Sequence, residues 1–249
     1  MKVSIITVCY NSVFTIKDTL LSVAAQTHQD LEHIIVDGDS KDGTQEVVKK
    51  YSGRIAKFIS EPDRGIYDAM NKGLDLSKGD IIGFLNADDI YNNNYVLERV
   101  SKVFERDNFD AVIGDVEFRN PMRLSKPLRR YRSYRFRPER IAWGWMPAHP
   151  ALFLKYSVYE RFGKFRTDYR IAGDFEMVAR IFNDGTITYW HLPEVLVCMK
   201  TGGISTGGWR NTILLNKEVL RACRENGIAT NLSKILTKYP IKLLEFLQK

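Results

Sequence analysis

Residues 61–89, EPDRGIYDAMNKGLDLSKGDIIGFLNADD, hold the organisation of the chain in miniature. A turn-rich start leads into a helical segment over Ile66–Leu76. A short apolar strand over Asp80–Leu85 follows and ends in the polar run Asn86-Ala87-Asp88-Asp89. The same pattern recurs outward from there. Val3–Cys9, Leu31–Val36, Ile55–Ser60 and Asp110–Phe118 are short, rich in β-branched residues and bounded by turn formers, so they read as strands. Helices are predicted over Thr44–Tyr51 and Tyr95–Glu105, the latter with Val96, Val100, Val103 and Phe104 along one stripe. Thr15-Ile16-Lys17-Asp18 resembles a capping box ahead of a helix that places Ile16, Leu20, Val23 and Ala24 on one face. Strand–helix–strand alternation imposes right-handed crossovers. The expected class is therefore α/β, a Rossmann-like, mainly parallel twisted sheet with helices on both faces.

Composition agrees with this class. At 249 residues, 44% hydrophobic and 27% charged, the chain is neither disordered nor fibrous. It can bury roughly 70–75% of its unfolded surface without a disulfide or metal staple. No stretch approaches the ~18 apolar residues of a membrane-spanning helix. Val3–Cys9 runs directly into Tyr10-Asn11-Ser12, so it reads as a strand and not as a signal peptide. Cys9, Cys198 and Cys223 are far apart and form no C-x-x-C pair, which points to a reducing, cytoplasmic setting.

The formal charge of +7 is concentrated in one place. Between Arg119 and Arg140 there are nine Lys or Arg against the single acid Glu139, which leaves the rest of the chain near neutral. With Pro121, Pro127, Pro138 and Pro147 and the aromatics Tyr131, Tyr134, Phe136, Trp143 and Trp145, residues 119–147 read as an insert or loop. Periodicity resumes at Ala151–Leu154, in a helix over Asp174–Asn183, in the strand-like Thr186–Trp190 and Val195–Met199, and in a helix over Trp209–Asn226. The tail Leu232–Leu247 is amphipathic and interrupted by Pro240. The expected division is a first half over 1–118, a second half of the same domain over 119–205 with the basic insert at 119–140, and a C-terminal helical extension over 206–249.

Ligands of open α/β sheets bind beyond the carboxyl ends of the strands. Three strands here end in polar clusters: Tyr10-Asn11-Ser12, Asp37-Gly38-Asp39-Ser40 and Asn86-Ala87-Asp88-Asp89. Each cluster alone is good turn and helix-cap chemistry. Three on one edge suggest a site, and clustered carboxylates call for a cation, which a hard divalent metal carrying phosphate oxygens would supply. G-x-G-x-x-G and G-x-x-x-x-G-K-[ST] are both absent, which argues against a dinucleotide dehydrogenase and a P-loop NTPase. On spacing alone, Gly173-Asp174 reads as a helix cap, and His149 and His191 read as structural.

SIITVCYN (4–11), VDGDSKDGT (36–44), residues 61–89, HPALFL (149–154), IAGDFEMVARIF (171–182) and GGIS (202–205) together resemble the successive motifs of family 2 glycosyltransferases, which have the GT-A fold. The resemblance runs in order over roughly residues 3–205 and is to the subgroup that adds single sugars in bacterial surface-polysaccharide biosynthesis. It implies a nucleotide-sugar donor, UDP-linked by preference, a saccharide or lipid-linked saccharide acceptor, and inversion by direct displacement.

The implied roles are as follows. Val8 and Tyr10 hold the base. Asp37 and Asp39 contact uracil and ribose; the family reads Asp-Asp-(Gly/Asn)-Ser where this chain reads Asp37-Gly38-Asp39-Ser40, which leaves open which Asp meets the base. Arg64, Asp68 and Asn71 flank ribose and diphosphate. Asn86-Ala87-Asp88 occupies the DxD position, with Asn replacing the first Asp, so Asp88 becomes the principal ligand of Mn2+ or Mg2+ with Asp89 beside it. Asp174 is the general base, with Glu176 in reserve. His149, within a matched motif, lines the acceptor pocket. By residue type alone, Trp143 and Trp145 suit either stacking on an acceptor sugar, for which Trp145 is the candidate, or burial as core aromatics.

Two other readings compete. A polyprenyl-phosphate hexose synthase shares the N-terminal motifs but lacks so long an acceptor region. A nucleic-acid-binding protein would use the Arg and aromatic insert, but it leaves the acidic edge unexplained, so no nucleic acid is expected. The basic insert, together with Leu236, Leu243, Leu244, Leu247, Lys234, Lys238 and Lys242 of the tail, suggests peripheral contact with an anionic membrane at its inner face. The alternatives are a solvated loop and a helix packed on its own core or on the second subunit of a homodimer.

Overall fold

The chain builds a nine-stranded sheet with the order β3-β2-β1-β4-β8-β6-β9-β5, and β7 pairs with β6 off this path. The strands are β1 (Val3–Cys9), β2 (Leu31–Asp37), β3 (Lys57–Ser60), β4 (Ile81–Phe84), β5 (Ile90–Tyr91), β6 (Ala111–Asn120), β7 (Arg123–Tyr131), β8 (Leu152–Lys155) and β9 (Tyr189–Lys200). The helices are α1 (Ile16–Ala24), α2 (Thr44–Lys50), α3 (Ile66–Leu76), α4 (Val96–Asp107), α5 (Tyr156–Phe162), α6 (Gly173–Phe182), α7 (Trp209–Glu225) and α8 (Leu232–Leu236). The computed structural model describes residues 1–120, 123–200 and 208–239. The expectations on 202–205 and on Pro121, Pro240, Lys242, Leu243, Leu244 and Leu247 lie outside them.

Strands β1 to β4 pair in parallel, β6 and β9 pair in parallel, and β8 joins the two groups antiparallel to both β4 and β6. Six strands therefore run one way, and β5, β7 and β8 run the other. The sheet is predominantly one-directional, as the alternation implies, but mixed at its seam. The expected first and second halves share this one sheet through β8 and β6.

Successive side chains point to opposite faces and both faces are covered, so β1, β2 and β4 are almost wholly buried. Ile6, Ile34 and Ile82 face one core with Met70, Leu74, Phe175 and Val178. Ile5 and Ile81 face the opposite core with Leu97, Val100 and Phe104, and Ile35 packs on Ile16, Leu20 and Val48. The C-terminal helix α7 belongs to the first core through Val219, Ala222 and Cys223.

Three expectations are corrected. No capping box forms at Thr15, whose side chain makes no cap bond; its hydroxyl lies 3.4 Å from the Ser12 carbonyl, which also accepts the amides of Thr15 and Ile16. Residues 119–147 are not a loop throughout, because β7 pairs antiparallel with β6, matching Phe118 to Arg129 and Val116 to Tyr131. Beyond Ile113, where β8 ends, that edge of β6 is open to a new partner. Arg130 reaches Asp115 at 2.8 Å and the Arg129 guanidinium lies 4.5 Å from the Phe118 ring, so the sequence's basic run supplies partners for β6. Pro127 is tolerated because β7 is an edge strand with a register shift beside it. Finally, Thr186–Trp190 and Val195–Met199 are not two strands but one, β9, which bulges around Pro193.

Candidate active site

The carboxyl ends of the parallel strands meet at one edge. β1 delivers Tyr10 and Asn11, β2 the Asp37–Ser40 turn, β3 residues 61–64, β4 Asn86–Asp89 and β9 Lys200. The turn before β8 brings His149 to the same edge, because β8 runs back along β4 with Phe153 opposite Gly83.

The two acids of the second-strand turn do different work. Asp37 is wholly buried. It accepts the Ser40 amide at 2.9 Å, the Ser40 hydroxyl at 2.5 Å and the Ser60 hydroxyl at 2.7 Å. The Cys9 thiol, pushed up by burial and by Asp37, stays protonated and donates to the same carboxylate at 3.5 Å. Asp37 is thus spent on shaping the turn. Asp39 stands in the left-handed region at φ +64° and, among the described residues, its side chain bonds only Lys41, at 2.6 Å. A Cβ on Gly38 would sit 2.5 Å from Asp63 Oδ2 and 3.3 Å from the Tyr10 ring, so the glycine lets both side chains lie against the turn without shifting. Tyr10 is 66% exposed and able to cover a planar ligand, whereas the Val8 side chain is buried in the core.

The polar residues of α3 divide in the same way. Arg64 is exposed and pairs with Asp68 at 3.0 Å. Its amide and guanidinium hold the Asp68 carboxyl below the usual carboxylate range. The Arg64 end of the pair is exposed and the Asp68 end is largely covered, so the guanidinium can be solvated without the carboxylate. Asn71, expected at the donor, is engaged elsewhere. Its amide donates to the Phe165 carbonyl at 2.8 Å and accepts the Phe165 amide at 2.9 Å. Tyr67, not singled out from the sequence, donates to the Ile171 carbonyl at 2.6 Å and lies 3.3 Å from Asp174 Oδ1.

Asp88 is partly buried and its carboxyl is raised by desolvation, with Lys200 pulling the other way. Asp89, 1% exposed, is pushed up to about 8 by burial and by the neighbouring Asp88 charge. Asn86 donates to Asp89 Oδ2 at 2.9 Å. The Asn in the first position of the motif therefore orients Asp89, and Asp89 lies behind Asp88, not beside it at the surface. No group of three acids, histidines or cysteines able to hold a metal occurs among the described residues. The arrangement suits a hard ion that takes one protein carboxylate and completes its shell with diphosphate oxygens and water. A desolvated acidic pair is also what such an ion would relieve.

Asp174 is the second residue of α6, whose cap position is Ala172, so it is not the cap that spacing alone suggested. Its Oδ1 accepts the Phe175 amide at 2.8 Å, with the Tyr67 hydroxyl 3.3 Å away. Oδ2 has no hydrogen bond among the described residues. A Cβ on Gly173 would fall 2.7 Å from the Tyr67 ring, which explains the glycine before the acid. His149 stacks on Phe84 at 5.4 Å and meets Phe165 edge-on. Burial lowers its pKa against the pull of Asp174, which favours the neutral ring.

Glu176 is eliminated as a reserve base. It is 1% exposed and bound through both oxygens to Arg180 at 3.0 Å, whose remaining donors hold the 162–164 carbonyls. Trp145 is half-buried and stacks on Tyr131 at 6.3 Å. His191 is structural, bonded to the buried Asp115 at 2.9 Å. The sequence reading also missed Lys200 and Glu218. Glu218 had one visible signal, an acid inside the otherwise apolar stripe Leu215, Val219 and Ala222 of its helix.

A sheet edge that presents an acidic turn, a DxD-type carboxylate and a separate half-open carboxylate on the first turn of a helix is the arrangement of a GT-A glycosyltransferase. Residues 4–162 match the family model described as Glycosyl transferase family 2, and the chain belongs to that family. It is 28% identical over 226 residues to a PGL/p-HBAD biosynthesis glycosyltransferase of Mycobacterium tuberculosis, covering 88% of this chain and 82% of that protein. Among solved structures it is similar to S. aureus TarS 1–349 in complex with UDP-GlcNAc, with a TM-score of 0.70, 17% identity and coverage of 89% of this chain and 66% of that one. It is also similar to the mannosyltransferase PcManGT from Pyrobaculum calidifontis in complex with GDP-Man and Mn2+, with a TM-score of 0.65, 21% identity and coverage of 88% and 64%. The chain thus spans just under two thirds of these structures, and at such identities the likeness concerns the fold.

Proposed function

We propose that the protein is an inverting glycosyltransferase that moves a sugar from a nucleoside diphosphate, UDP by preference, to a saccharide or lipid-linked saccharide acceptor in cell-surface polysaccharide synthesis. The observation that carries this reading is Asp174. Its Oδ1 accepts the Phe175 amide with the Tyr67 hydroxyl 3.3 Å away, its Oδ2 has no hydrogen bond among the described residues, and its charge acts on His149 at the sheet edge. The donors bound by TarS and PcManGT support a nucleotide sugar at this edge.

In this reading Asp39, not the saturated Asp37, meets the nucleoside, with Tyr10 over the base. Arg64 leaves Asp68 for the diphosphate. Asp174 Oδ2 takes the acceptor hydroxyl proton as the new bond forms, a role that supplies typically ~10²–10⁴-fold. Neutral His149 and Phe165 wall the acceptor side, with Trp145 further out. Asp88, backed by Asp89, would hold Mn2+ or Mg2+, which neutralises the charge gathering on the leaving diphosphate. In a screen of UDP-, GDP- and dTDP-sugars, hydrolysis or transfer should be seen with UDP-sugars and should require the divalent ion. Ion-independent turnover, or no turnover with any donor, would overturn the reading.

A peripheral position at the inner face of the membrane is supported by the exposure of the apolar side chains Leu128, Tyr134, Trp143, Leu232 and Leu236 and of the basic Arg132, Arg137 and Arg140. Lys234 lies 5.6 Å from the Trp143 ring, which joins α8 to this surface. No helix among the described residues is long and apolar enough to cross a membrane. The charge available is smaller than the sequence count, because Arg119 and Arg130 pair with Glu117 and Asp115 and Lys238 is buried. The protein is expected to co-sediment with anionic liposomes at low salt and to be released at high salt, as screening shortens the reach of the remaining charges. Retention in the supernatant at low salt would refute membrane contact.

A further inference from the structure

The segment that leads into α6 is held from the C-terminal helix by a single buried carboxylate. Glu218, 8% exposed on α7, accepts the amide of Arg170 at 2.8 Å through Oε1, and those of Ile171 at 2.9 Å and Ala172 at 2.8 Å through Oε2. Three consecutive backbone donors converge on one carboxylate two residues before Asp174. Charge-assisted bonds of this kind are among the stronger ones, and the low dielectric strengthens them further. The Ile171 carbonyl, on the other side of the same peptide segment, accepts the Tyr67 hydroxyl that also contacts Asp174. Upstream, Asn71 clamps Phe165. Glu225 accepts the Tyr169 hydroxyl at 2.6 Å and Arg166 at 2.7 Å, and Arg221 lies 4.4 Å from the Tyr169 ring while bonding Asp168. The loop 163–172 is therefore gripped between α3 and α7, and Glu218 holds the part nearest the base.

We propose that Glu218 is a positioning residue for Asp174. It fixes the backbone of residues 170–172, and with it the placement of the first turn of α6, so that Oδ2 faces the acceptor hydroxyl. The proposal rests on the reading of Asp174 as the base. It also assigns the C-terminal extension a part in catalysis, although none of its described residues lies in the motifs shared with the family. The charge matters as well as the shape: in Glu218→Gln one oxygen becomes an NH2 group facing backbone donors, so at least one of the three bonds is lost.

Displacement of a reacting group by about 1 Å costs roughly 10²-fold in rate. Glu218→Gln should therefore lower kcat by roughly 10- to 100-fold while donor affinity, measured by calorimetry with UDP, is unchanged. Cys223→Ala, which opens a cavity on the same helix where the thiol meets the Ile141 carbonyl, should lower Tm and leave kcat alone. In the background of Asp174→Asn, Glu218→Gln should cost nothing further, because a residue that acts through the base has no effect once the base is gone. If the Gln variant does not fold, Glu218→Asp, which keeps the charge but falls short of all three amides, is read in the same way. Wild-type kcat in these Glu218 variants, or a further loss in the double variant, overturns the positioning role. If instead Asp174→Asn itself retains turnover, it is the base assignment that fails.

Discussion

Asp174→Asn is expected to bind donor as the wild type does and to turn over ~10²-fold or more slowly. The substitution keeps the side-chain volume, and the amide oxygen can still accept from Tyr67 and from the Phe175 amide. What is lost is the ability of the second oxygen to receive a proton. The fold should be unaffected, because Asp174 is not the helix cap and the residues before it are anchored by Glu218. At most, a favourable interaction of its charge with the helix N-terminus disappears, worth ~0.3–1 kcal/mol. UDP calorimetry and single-turnover transfer, run on the same preparation, separate the two effects. Wild-type transfer in the variant would reduce Asp174 to a first-turn acid. Glu176 could not inherit the role, because both its oxygens are committed to Arg180 in the interior.

Most strands and helices of the first 118 residues were legible because both faces of the parallel strands are buried; the two-residue β5, which pairs antiparallel with β9, was missed because it forms no apolar run of its own. A strand such as Val3–Cys9 then has no polar alternation to confuse it, and its boundaries are turn residues. The second half was harder to read for a physical reason. β7 is an edge strand whose arginines are partners of Asp115 and Phe118, residues that lie outside the basic run in the sequence. Counted along the chain they look like a solvated patch; paired across the sheet, several are spent.

The site divides in the same way. Which residue types gather at the carboxyl ends follows from strand order, and sequence carries that. Which of two acids is free depends on the number of donors that fold onto each. Asp37 collects those of Ser40, Ser60 and Cys9, while among the described residues Asp39 meets only Lys41. Asn71 looked like a ligand residue and proved to be a backbone clamp, because an amide can satisfy an N–H and a C=O of one residue at once. Glu218 is separated from the segment it holds by 46 to 48 positions, so no local pattern could reveal its partners.

Asp88→Ala is expected to abolish transfer and the metal-dependent part of UDP binding while the protein stays folded. Asp88 is the one carboxylate of the Asn86–Asp89 turn that is not buried behind another group; Asp89 is 1% exposed and takes the Asn86 amide. In the proposed reading, removing Asp88 removes the coordinating oxygen, and no group of three acids, histidines or cysteines among the described residues offers a substitute site. Stability should not suffer, because desolvation already disfavours the charged form of Asp88 and its charge helps push Asp89 upward. Relief of that repulsion offsets the lost side-chain contacts. Asn86→Ala would be a poorer test, since it acts on the ion only through the orientation of Asp89. Calorimetry of UDP with and without Mn2+ distinguishes the outcomes. The wild type should bind more tightly with the ion, and Asp88→Ala should bind equally weakly in both conditions. Persistence of Mn2+-enhanced binding in the variant would move the ion off Asp88. The Asn-for-Asp departure at position 86 would then mark a donor site that dispenses with the DxD carboxylate.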